Sequence, residues 1–415
     1  MWTNWAGNQR ADTPIARPSS IAELQQAIAQ PQSLRVLGAG HSFTPIVAGG
    51  DRILDLSALN LPTLGDVEDG RVWVNANARL RDLSPALAGK GLAFRNLGDI
   101  NAQSLAGAVS TATHGTGREL PCLAAEITAA RMVSASGDIL TTEDIPLEMA
   151  QVTLGMLGVL TEAQISVVPK YNLRRQVELN SVQDSLATMH QKWAENRNFE
   201  FFYIPFTGKT VEIRHALTDA AETKAPRDLD MIAVKVLKLA RSAGKVSEGL
   251  RGALLKLLTM AQSDEDYVGE SWRVLCSDRR IPFKEMEYHL PPDVAGEVLQ
   301  EVLTRLHRDH KDIYFPIEVR QTAGDTACLS PFQGGRRISV AIHTDAGEDH
   351  QRYFDAIEPL FVEAGGRPHW GKMHSLTYKN LSTMYPDFDL FCSLREQLDP
   401  HGKFLTPALA RLFRP

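Results

Sequence analysis

Two residues of opposite charge, Glu318 and Arg320, lie two positions apart in the segment YFPIEVRQ. Strand alternation predicts Phe315, Ile317 and Val319 on one face, with the carboxylate and the guanidinium side by side on the other. Such a pair either grips a polar ligand or forms a surface ion pair that contributes little to stability. The spacing alone leaves both interpretations open.

A glycine-rich turn, GAGHSFTP at 38–45, follows a short apolar run. Gly38 and Gly40 fit a dinucleotide-binding GxGxxG turn, but Phe43 occupies the position of the third glycine. The two glycines permit positive φ and leave backbone amides that point into a concavity suited to a pyrophosphate. His41 is then either a functional group beside that anion site or a loop histidine satisfied by the backbone.

Two further segments share this composition. RNLGDINAQSLAGAVSTATHGTG at 95–117 consists largely of small and hydroxyl residues, which let the chain lie against an extended ligand and offer it hydroxyls and amides. TLGMLGVLT at 153–161 adds Gly155 and Gly158. Tight crossings between strands account for some of these glycines. Three such segments in one α+β unit predict a long cofactor that runs across all of them.

Composition excludes several classes of protein. A chain of 415 residues, 43% of them hydrophobic, exceeds what one core usually organises and predicts two domains. A net charge of −6 argues against nucleic acid and stable membrane association. The four cysteines are far apart and form no CxxC pair, which argues against a zinc site and favours a reducing compartment. The sequence shows no signal peptide and no long apolar stretch, so we expect a cytoplasmic protein. We also expect no bound metal.

The predicted elements give a mixed α+β fold. SSIAELQQAIAQ indicates a serine-capped helix, LRVL a strand, and EITAARMVSASGDILTT a hairpin that turns at Gly137. From about 171, strands such as NLRRQVEL and FEFFYIPF precede long helical stretches, including the basic segment 233–262. That segment is either a membrane-surface helix or, as its regular Lys and Arg spacing favours, the solvated face of a packed helix.

Six motifs taken together resemble the sugar-lactone and alditol oxidases of the vanillyl-alcohol-oxidase flavoprotein superfamily. They are LRVLGAGHSFTP, NLGDINAQSLAGAVSTATHGTG, LGMLGVLT, IEVR, RPHWGK and LDPHGKFLTP, and they occur in the family's order over nearly the whole chain. The resemblance implies a two-domain FAD-linked oxidase with a PCMH-type FAD-binding domain and an antiparallel-sheet cap domain. It also implies that His41 bonds covalently to the 8α-methyl of FAD.

The resemblance assigns further cofactor residues. It implies a pyrophosphate loop at Gly38, Ala39, Gly40 and Ser42, a second FAD-binding stretch at Ser104, Gly107, Ala108, Val109 and Ser110, and an adenine-side contact at Gly158 and Val159. Thr113, His114 and Gly115 match the turn that follows the second stretch.

Gly98 falls where the family places a gate over the flavin, and a glycine there leaves room for dioxygen. The next residue, Asp99, replaces a serine common in alditol oxidases. Its carboxylate either accepts hydrogen bonds from a polyol or acts as a base, or it caps a turn.

On the substrate side the resemblance implies catalytic roles for Glu318, Arg320 and Lys372, which bind substrate hydroxyls and place cations near the developing charge. Thr344 matches a substrate position, although strand phase groups it with Ile338, Val340 and Ile342. His369 either hydrogen-bonds the flavin or is a structural histidine. In FEFFYIPFTGKTVEI, Tyr203 or Phe206 is a candidate pocket wall.

The implied reaction is oxidation of a gulono- or arabinono-1,4-lactone at its C2 hydroxyl, with hydride transfer to FAD and then reduction of O2 to H2O2. The alternatives are an alditol oxidase acting on xylitol or sorbitol, a lactone dehydrogenase with a non-oxygen acceptor, and a protein that stores flavin or binds a partner without turnover. We expect the FAD-binding domain at 1–170, completed by 371–415, and the cap domain at 171–370.

Overall fold

Short strands and helices alternate through the first 170 residues. The computed structural model describes residues 1–226, 230–261, 264–277 and 281–415. The strands of this part are β1 (Trp2–Thr3), β2 (Arg10–Ala11), β3 (Ile15–Ala16), β4 (Leu34–Leu37), β5 (Arg52–Asp55), β6 (Leu64–Glu68), β7 (Arg71–Asn75), β8 (Leu92–Ala93), β9 (Ile127–Val133), β10 (Ile139–Thr141), β11 (Val159–Ser166) and β12 (Val168–Pro169). Its helices are α1 (Ile21–Ala29), α2 (Leu80–Gly89), α3 (Leu105–Ser110) and α4 (Leu147–Ala150).

These strands form two larger sheets. The parallel sheet has the order β3-β5-β4, and the antiparallel sheet has the order β10-β9-β11-β7-β6. Helix α1 begins after Ser20, whose hydroxyl accepts the amide of Glu23 at 3.2 Å, as the serine cap predicts. The predicted hairpin is β9–β10, with Gly137 at φ +93° in its turn. Propensity and turn chemistry therefore predicted this part well.

An eight-stranded antiparallel sheet dominates residues 171–370. Its elements in chain order are β13 (Asn172–Ser181), α5 (Val182–Glu195), β14 (Asn198–Ile204), β15 (Lys209–Thr218), α6 (Asp230–Gly244), α7 (Glu248–Ala261), β16 (Glu265–Glu270), α8 (Ser271–Leu275), β17 (Phe283–Leu290), α9 (Pro292–Asp309), β18 (Ile317–Thr322), β19 (Arg337–Asp345), α10 (Gln351–Glu363) and β20 (Arg367–Pro368). The strand order is β16-β13-β15-β14-β18-β19-β17-β20.

Helices α5, α9 and α10 cover one face of this sheet. Phe201 and Val319, which are register partners on β14 and β18, are fully buried in the same core cluster as Leu306 of α9 and Ile357 of α10. Alternate residues of the strands point to the opposite face, as the two-residue period requires. One face of the sheet is therefore packed with apolar side chains, and the other is free to carry polar ones.

The C-terminal segment returns to the first part of the chain. It contains α11 (Tyr378–Met384), α12 (Phe388–Leu398) and α13 (Pro407–Phe413). The amide of Leu34 donates to the carbonyl of Lys403 at 2.9 Å, and the buried Arg35 donates to the carbonyl of Phe404 at 2.7 Å. The predicted domain boundaries at 170 and 370 stay a prediction.

The basic segment 233–262 is not one helix. Helix α6 ends at Gly244 and α7 begins at Glu248, so the two form a hairpin, and Gln262 lies outside the described residues. Leu237 and Leu255 pack inward and the lysines face outward, but Leu239, Leu250 and Leu257 are exposed as well, so the solvated-face interpretation stays a prediction. No helix in the described part of the chain is both long and apolar enough to span a membrane.

Candidate functional site

A cavity of about 750 Å³ separates the glycine-rich loops from the open face of the eight-stranded sheet. It contains many of the predicted site residues, although they come from distant parts of the sequence. Those that line it are His41, Ser42, Gly98, Asp99, Glu318, Arg320, His369 and Lys372. The Glu318–Arg320 pair is therefore not a surface ion pair, because both side chains are buried against this cavity.

The three glycine-rich segments contact one another. A Cβ added to Gly38 would lie 2.8 Å from Ser104 Oγ, so the first loop lies directly against the second. Ser104 also caps α3 by accepting the amide of Gly107 at 3.2 Å. The carbonyl of Ser110 accepts the amide of Leu154 at 3.2 Å, which joins the third segment to the second. This convergence is what a long cofactor spanning all three segments requires.

The glycines of these loops serve different purposes. Gly40 has φ +71°, which favours glycine, whereas Gly38 lies outside the left-handed region and is small because Ser104 approaches it. Of the two glycines that permit positive φ, Gly40 adopts it and Gly38 does not. A Cβ on Gly98 would lie 2.9 Å from the carbonyl oxygen of His114, and one on Gly115 would lie 2.3 Å from that of Leu97. These contacts hold the loops close together.

Some predicted cofactor residues can contribute only their backbone. Ala108 and Val109 point their side chains into the core from α3. Val159 is fully buried in β11, where it pairs with Val133, and a Cβ on Gly158 would meet the carbonyl of Val133 at 2.8 Å. Strand packing thus explains the glycine at 158, and the adenine-side contact stays a prediction. Ala39 lies in the loop between Gly38 and Gly40 and is partly exposed.

His41 lies at the loop side of the cavity, stacked on Trp5 with ring centroids 5.6 Å apart. Its Nδ1 is buried and has no hydrogen-bond partner among the described residues. Burial, together with the positive charges of Lys372 and Arg79, lowers the pKa of His41 to about 4. The ring is therefore neutral at physiological pH and presents a nitrogen lone pair. The alternative of a loop histidine satisfied by the backbone does not hold for Nδ1.

Arg320 is the centre of the charged wall. It donates to Glu287 at 2.7 Å, and its Nε lies 3.4 Å from Glu318. Burial opposes the charge of Arg320, but the carboxylates of Glu318 and Glu287 outweigh it and raise the pKa of the guanidinium. Glu287 also contacts Nε2 of His114 at 3.0 Å. Burial likewise opposes ionisation of Glu287, while Arg320 and His114 hold its pKa well below the usual range.

Lys372 forms a second charged group with Glu285, to which its Nζ is hydrogen-bonded. His343 lies 3.6 Å from the other oxygen of Glu285. Burial would raise the pKa of Glu285, but Lys372 and His343 outweigh burial and hold it at about 2. Arg320 and Lys372 are therefore each fixed by a buried carboxylate, and both line the cavity, where a ligand can reach them.

The assignment of Thr344 to the substrate side is wrong. On β19 the cavity is lined by the preceding residue, His343, whose register partner on β17 is Glu285. Thr344 pairs with Lys284 and faces the other side of the sheet, where its hydroxyl is buried. Strand phase, which grouped Thr344 with Ile342, was the better guide.

The two aromatic candidates are also wrong. Tyr203 is buried in the core, where its hydroxyl contacts Nε2 of His307 at 2.6 Å, and Phe206 packs under Arg251. Strand β14 instead contributes Glu200 and Phe202 to the cavity, one residue out of phase with Tyr203.

Asp99 both lines the cavity and anchors the chain after α8. Its Oδ1 accepts the hydroxyl of Ser277 at 2.7 Å, and its carbonyl accepts the amide of the same residue at 2.9 Å. The nearby His369 accepts the amide of Gly371 on its Nδ1, and burial lowers its pKa to about 3. These contacts give both residues a structural role. The function of Asp99 as a base and that of His369 as a flavin ligand stay predictions.

The ionisable residues of the site that were missed include Glu200, Glu285, Glu287 and His343. A signal was present for two of them, because in FKEMEYHL the residues 285, 287 and 289 alternate with apolar ones and share a strand face. The sets His114–Glu287–His369 and Glu285–Glu318–His343 have donor atoms close enough for a metal. Arg320 and Lys372 already neutralise these carboxylates, so the electrostatics favours an organic ligand.

The residues present fit an FAD. The loops offer backbone amides, and their glycines are packed so closely that an added Cβ would clash with a neighbouring loop. His41 offers an unpartnered nitrogen at the cavity end of these loops. Arg320 lines the cavity from the sheet, and Lys372 lines it beside Phe43, where its positive charge acts on His41. A flat ring bound between these walls would contact both.

Comparison with known proteins agrees with this geometry. Residues 13–143 match the family model described as an FAD binding domain, and residues 163–412 match the one described as D-arabinono-1,4-lactone oxidase. An L-gulono-1,4-lactone dehydrogenase of Mycobacterium tuberculosis is 34% identical, over 100% of this chain and 99% of the relative. An L-gulonolactone oxidase of Bos taurus is 27% identical, over 96% and 94%.

The fold has solved counterparts. A cholesterol oxidase from B. sterolicum superposes with a TM-score of 0.82 at 15% identity, covering 99% of this chain and 96% of that one. A solvent-stable cholesterol oxidase gives 0.81 at 18% identity with the same coverage. At these identities the likeness shows the fold alone. Together with the FAD-binding match, it confirms the predicted α+β architecture of an FAD-linked oxidase.

Proposed function

The chain belongs to the D-arabinono-1,4-lactone oxidase family, and we propose that it is an FAD-dependent enzyme that oxidises a gulono- or arabinono-type sugar 1,4-lactone at its C2 hydroxyl. One observation carries this proposal: His41 and the Glu318–Arg320 pair line the same cavity from opposite walls. Residues 277 positions apart in the sequence thus face a common ligand.

Bound FAD supplies the two-electron oxidant. Oxidation of a secondary alcohol removes the hydroxyl proton as well as the hydride, so negative charge develops on the substrate oxygen. Arg320 and Lys372 are held by buried carboxylates before substrate arrives, and such preorganised cations stabilise developing charge without reorganisation. Glu318 accepts a hydrogen bond from a substrate hydroxyl and orients Arg320.

The relatives' names favour a lactone over a polyol, and anaerobic spectroscopy tests the choice. We expect L-gulono-1,4-lactone or D-arabinono-1,4-lactone to bleach the flavin absorbance of the purified holoenzyme. Bleaching by xylitol or sorbitol alone would identify an alditol oxidase. No bleaching by either class would indicate a protein that stores flavin or binds a partner.

We further propose that His41 holds FAD through a covalent 8α-histidyl bond. The neutral, unpartnered imidazole nitrogen supports this, because a protonated ring would have no lone pair for bond formation. On a denaturing gel under ultraviolet light we expect flavin fluorescence in the wild-type band and none in His41→Ala. Fluorescence retained by the variant would exclude this linkage.

Dioxygen is the proposed electron acceptor. Residue 98 lies where the related oxidases place a gate over the flavin, and a glycine there has no side chain to block the approach of dioxygen. The contact with His114 explains that glycine independently, so Gly98→Ala would disturb the loop as well as any oxygen path. Peroxide release by the wild type in air is therefore the cleaner test. Reoxidation that needs a quinone or a cytochrome would instead identify a dehydrogenase, the activity named for the Mycobacterium tuberculosis relative.

A cytoplasmic location remains part of the proposal, as does the absence of nucleic-acid and stable membrane partners. The net charge of −6 supports the absence of those partners, and the four free cysteines support a reducing compartment. Fractionation of cells that express the protein at native level tests them, since recovery with membranes would contradict the proposed location.

A further inference from the structure

One carboxyl group in the cavity has no role in the mechanism above. Glu200 lies on β14 directly opposite Arg320 of β18, and Phe202, two residues later, lies opposite Glu318. Directly opposed residues of neighbouring strands share a face, so Glu200 and Arg320 both point into the cavity. The carboxyl of Glu200 makes no hydrogen bond to any residue in the described ranges, and its exposed part faces the cavity.

Arg320 cannot neutralise this group as well. Its Nη2 donates to Glu287 at 2.7 Å and its Nε lies 3.4 Å from Glu318, so two carboxylates already share one guanidinium. Glu200 is the third acid beside a single cation. Removing a third negative charge by protonation costs less than burying it unpaired.

The other groups around Glu200 do not change this balance. Arg175 on β13 is committed to Glu265 at 2.5 Å, and Asp99 across the cavity adds negative charge. His215 on β15 is neutral, because burial lowers its pKa to about 3. Burial and the charge of Glu318, only partly opposed by Arg320, raise the pKa of Glu200 to about 8.

We propose that Glu200 is a neutral carboxylic acid in the resting enzyme and that its O–H donates a hydrogen bond to the carbonyl oxygen of the bound lactone. The neighbouring wall supports this assignment, since Glu285, Glu287 and Glu318 offer carboxylate oxygens and Arg320 donates a hydrogen bond to Glu287. A lactone carbonyl is an acceptor without a proton of its own. It needs a donor, and Glu200 supplies one that a polyol, rich in hydroxyls, does not require.

This inference rests on the proposed function for its ligand, but its protonation claim can be tested without any substrate. Infrared difference spectra of the holoenzyme between pH 7 and pH 9 are expected to show one protonated-carboxyl band that disappears at the higher pH. The band should be missing in Glu200→Gln and present in Glu178→Gln, which alters a glutamate paired with Arg214 outside the cavity. A band that titrates identically in all three proteins, or in none, would overturn the protonation claim.

Kinetics then tests the contact with the lactone. Loss of one neutral hydrogen bond predicts that Glu200→Ala raises KM for L-gulono-1,4-lactone about tenfold at pH 7. Glu200→Gln keeps an N–H donor and should raise KM less, about threefold. Wild-type kcat/KM should fall as pH rises through about 8, and this alkaline fall should be missing in Glu200→Gln.

Flavin content and thermal midpoint confirm that the variants are folded, and the Glu178→Gln control should match the wild type in KM and pH profile. Unchanged KM in Glu200→Ala, or an alkaline fall that persists in Glu200→Gln, would overturn the assigned contact. A wild-type enzyme inactive on every 1,4-lactone would instead refute the proposed function, and the infrared titration would still decide the protonation of Glu200.

Discussion

The glycine-rich loops and the eight-stranded sheet face each other across one cavity, but they line it with different chemical groups. The loops use backbone amides, small residues and close approaches such as that of Gly38 to Ser104. The sheet uses long charged side chains: Arg320 on β18 is bound to the buried Glu287, and the buried Glu285 on β17 binds Lys372 from the segment after β20. One wall therefore recognises its ligand by shape and the other by charge.

This difference predicts opposite sensitivities to mutation. On the loop side, adding a methyl group should be harmful and removing a polar side chain should matter little. On the sheet side, a substitution that removes a charge, or that keeps the charge but changes the geometry of the charged group, should be harmful. Four experiments test the contrast, from the largest expected effect to the smallest.

Glu287→Gln should have the largest effect. The carboxylate binds Arg320 and His114 and is fully buried, so the isosteric amide leaves the guanidinium short of a counter-charge. Breaking a buried pair in this way costs about 3–5 kcal/mol of the free energy of unfolding. Denaturant titration at pH 7 measures it, and a loss below about 1 kcal/mol would show that charge does not organise this wall.

Glu285 should make stability depend on acid pH. Its pKa is lowered to about 2, so its contribution is present above the unfolded value of 4.5 and is lost as pH falls through about 2. A shift of this size corresponds to about 3 kcal/mol. Unfolding free energies measured between pH 6 and pH 3 should fall more steeply for the wild type than for Glu285→Gln. In contrast, Glu301→Gln on the surface of α9 should keep the wild-type slope.

Gly115→Ala tests the loop wall. The new Cβ would lie 2.3 Å from the carbonyl oxygen of Leu97, so the backbone must move, at a cost of about 1–3 kcal/mol and with weaker FAD retention. The matched control is Gly89→Ala at the end of α2, where a Cβ would have no neighbour within 4 Å in the part of the chain that the structure describes. Alanine there should be neutral or stabilise the protein slightly. Equal thermal midpoints for the two variants would refute the role of close approach.

Ser110→Ala should have the smallest effect. Among the described residues, its hydroxyl has only a 3.5 Å contact with Thr153 Oγ1, whereas its carbonyl accepts the amide of Leu154 and is unchanged by the mutation. We expect stability within about 0.5 kcal/mol of the wild type and the same flavin content. A large loss of flavin would mean that side-chain hydroxyls, and not the backbone, bind the cofactor on this wall.

The two walls also differ in how far the sequence could predict them. The loops are local features, so glycine spacing located all three segments, and family resemblance identified His41. The pair Glu318–Arg320 was visible through strand alternation. Local patterns could not predict that Ser104 requires a glycine at position 38, because that contact forms only when distant loops meet.

Sheet order was the main obstacle on the charged wall. Glu200, Glu287 and Arg320 lie on β14, β17 and β18, and nothing in their local sequence states that β14 pairs with β18. The period of two did provide the phase within each strand. That phase correctly placed Thr344 on the face away from the cavity. Applied to FKEMEYHL, it would have placed Glu285 and Glu287 together on one face of the strand. The face on which a strand residue lies can thus be predicted from the local sequence, whereas the pairing of strands cannot.

The most direct test of two walls around one ligand is the rate of anaerobic flavin reduction by L-gulono-1,4-lactone in a single turnover, compared between the wild type and Arg320→Lys. Lysine keeps the positive charge but cannot reproduce the guanidinium geometry between Glu287 and Glu318. We expect reduction to slow by about 100-fold, with flavin content and the oxidised spectrum unchanged because the loops hold the cofactor. Reduction at the wild-type rate, or loss of flavin from the variant, would contradict this account.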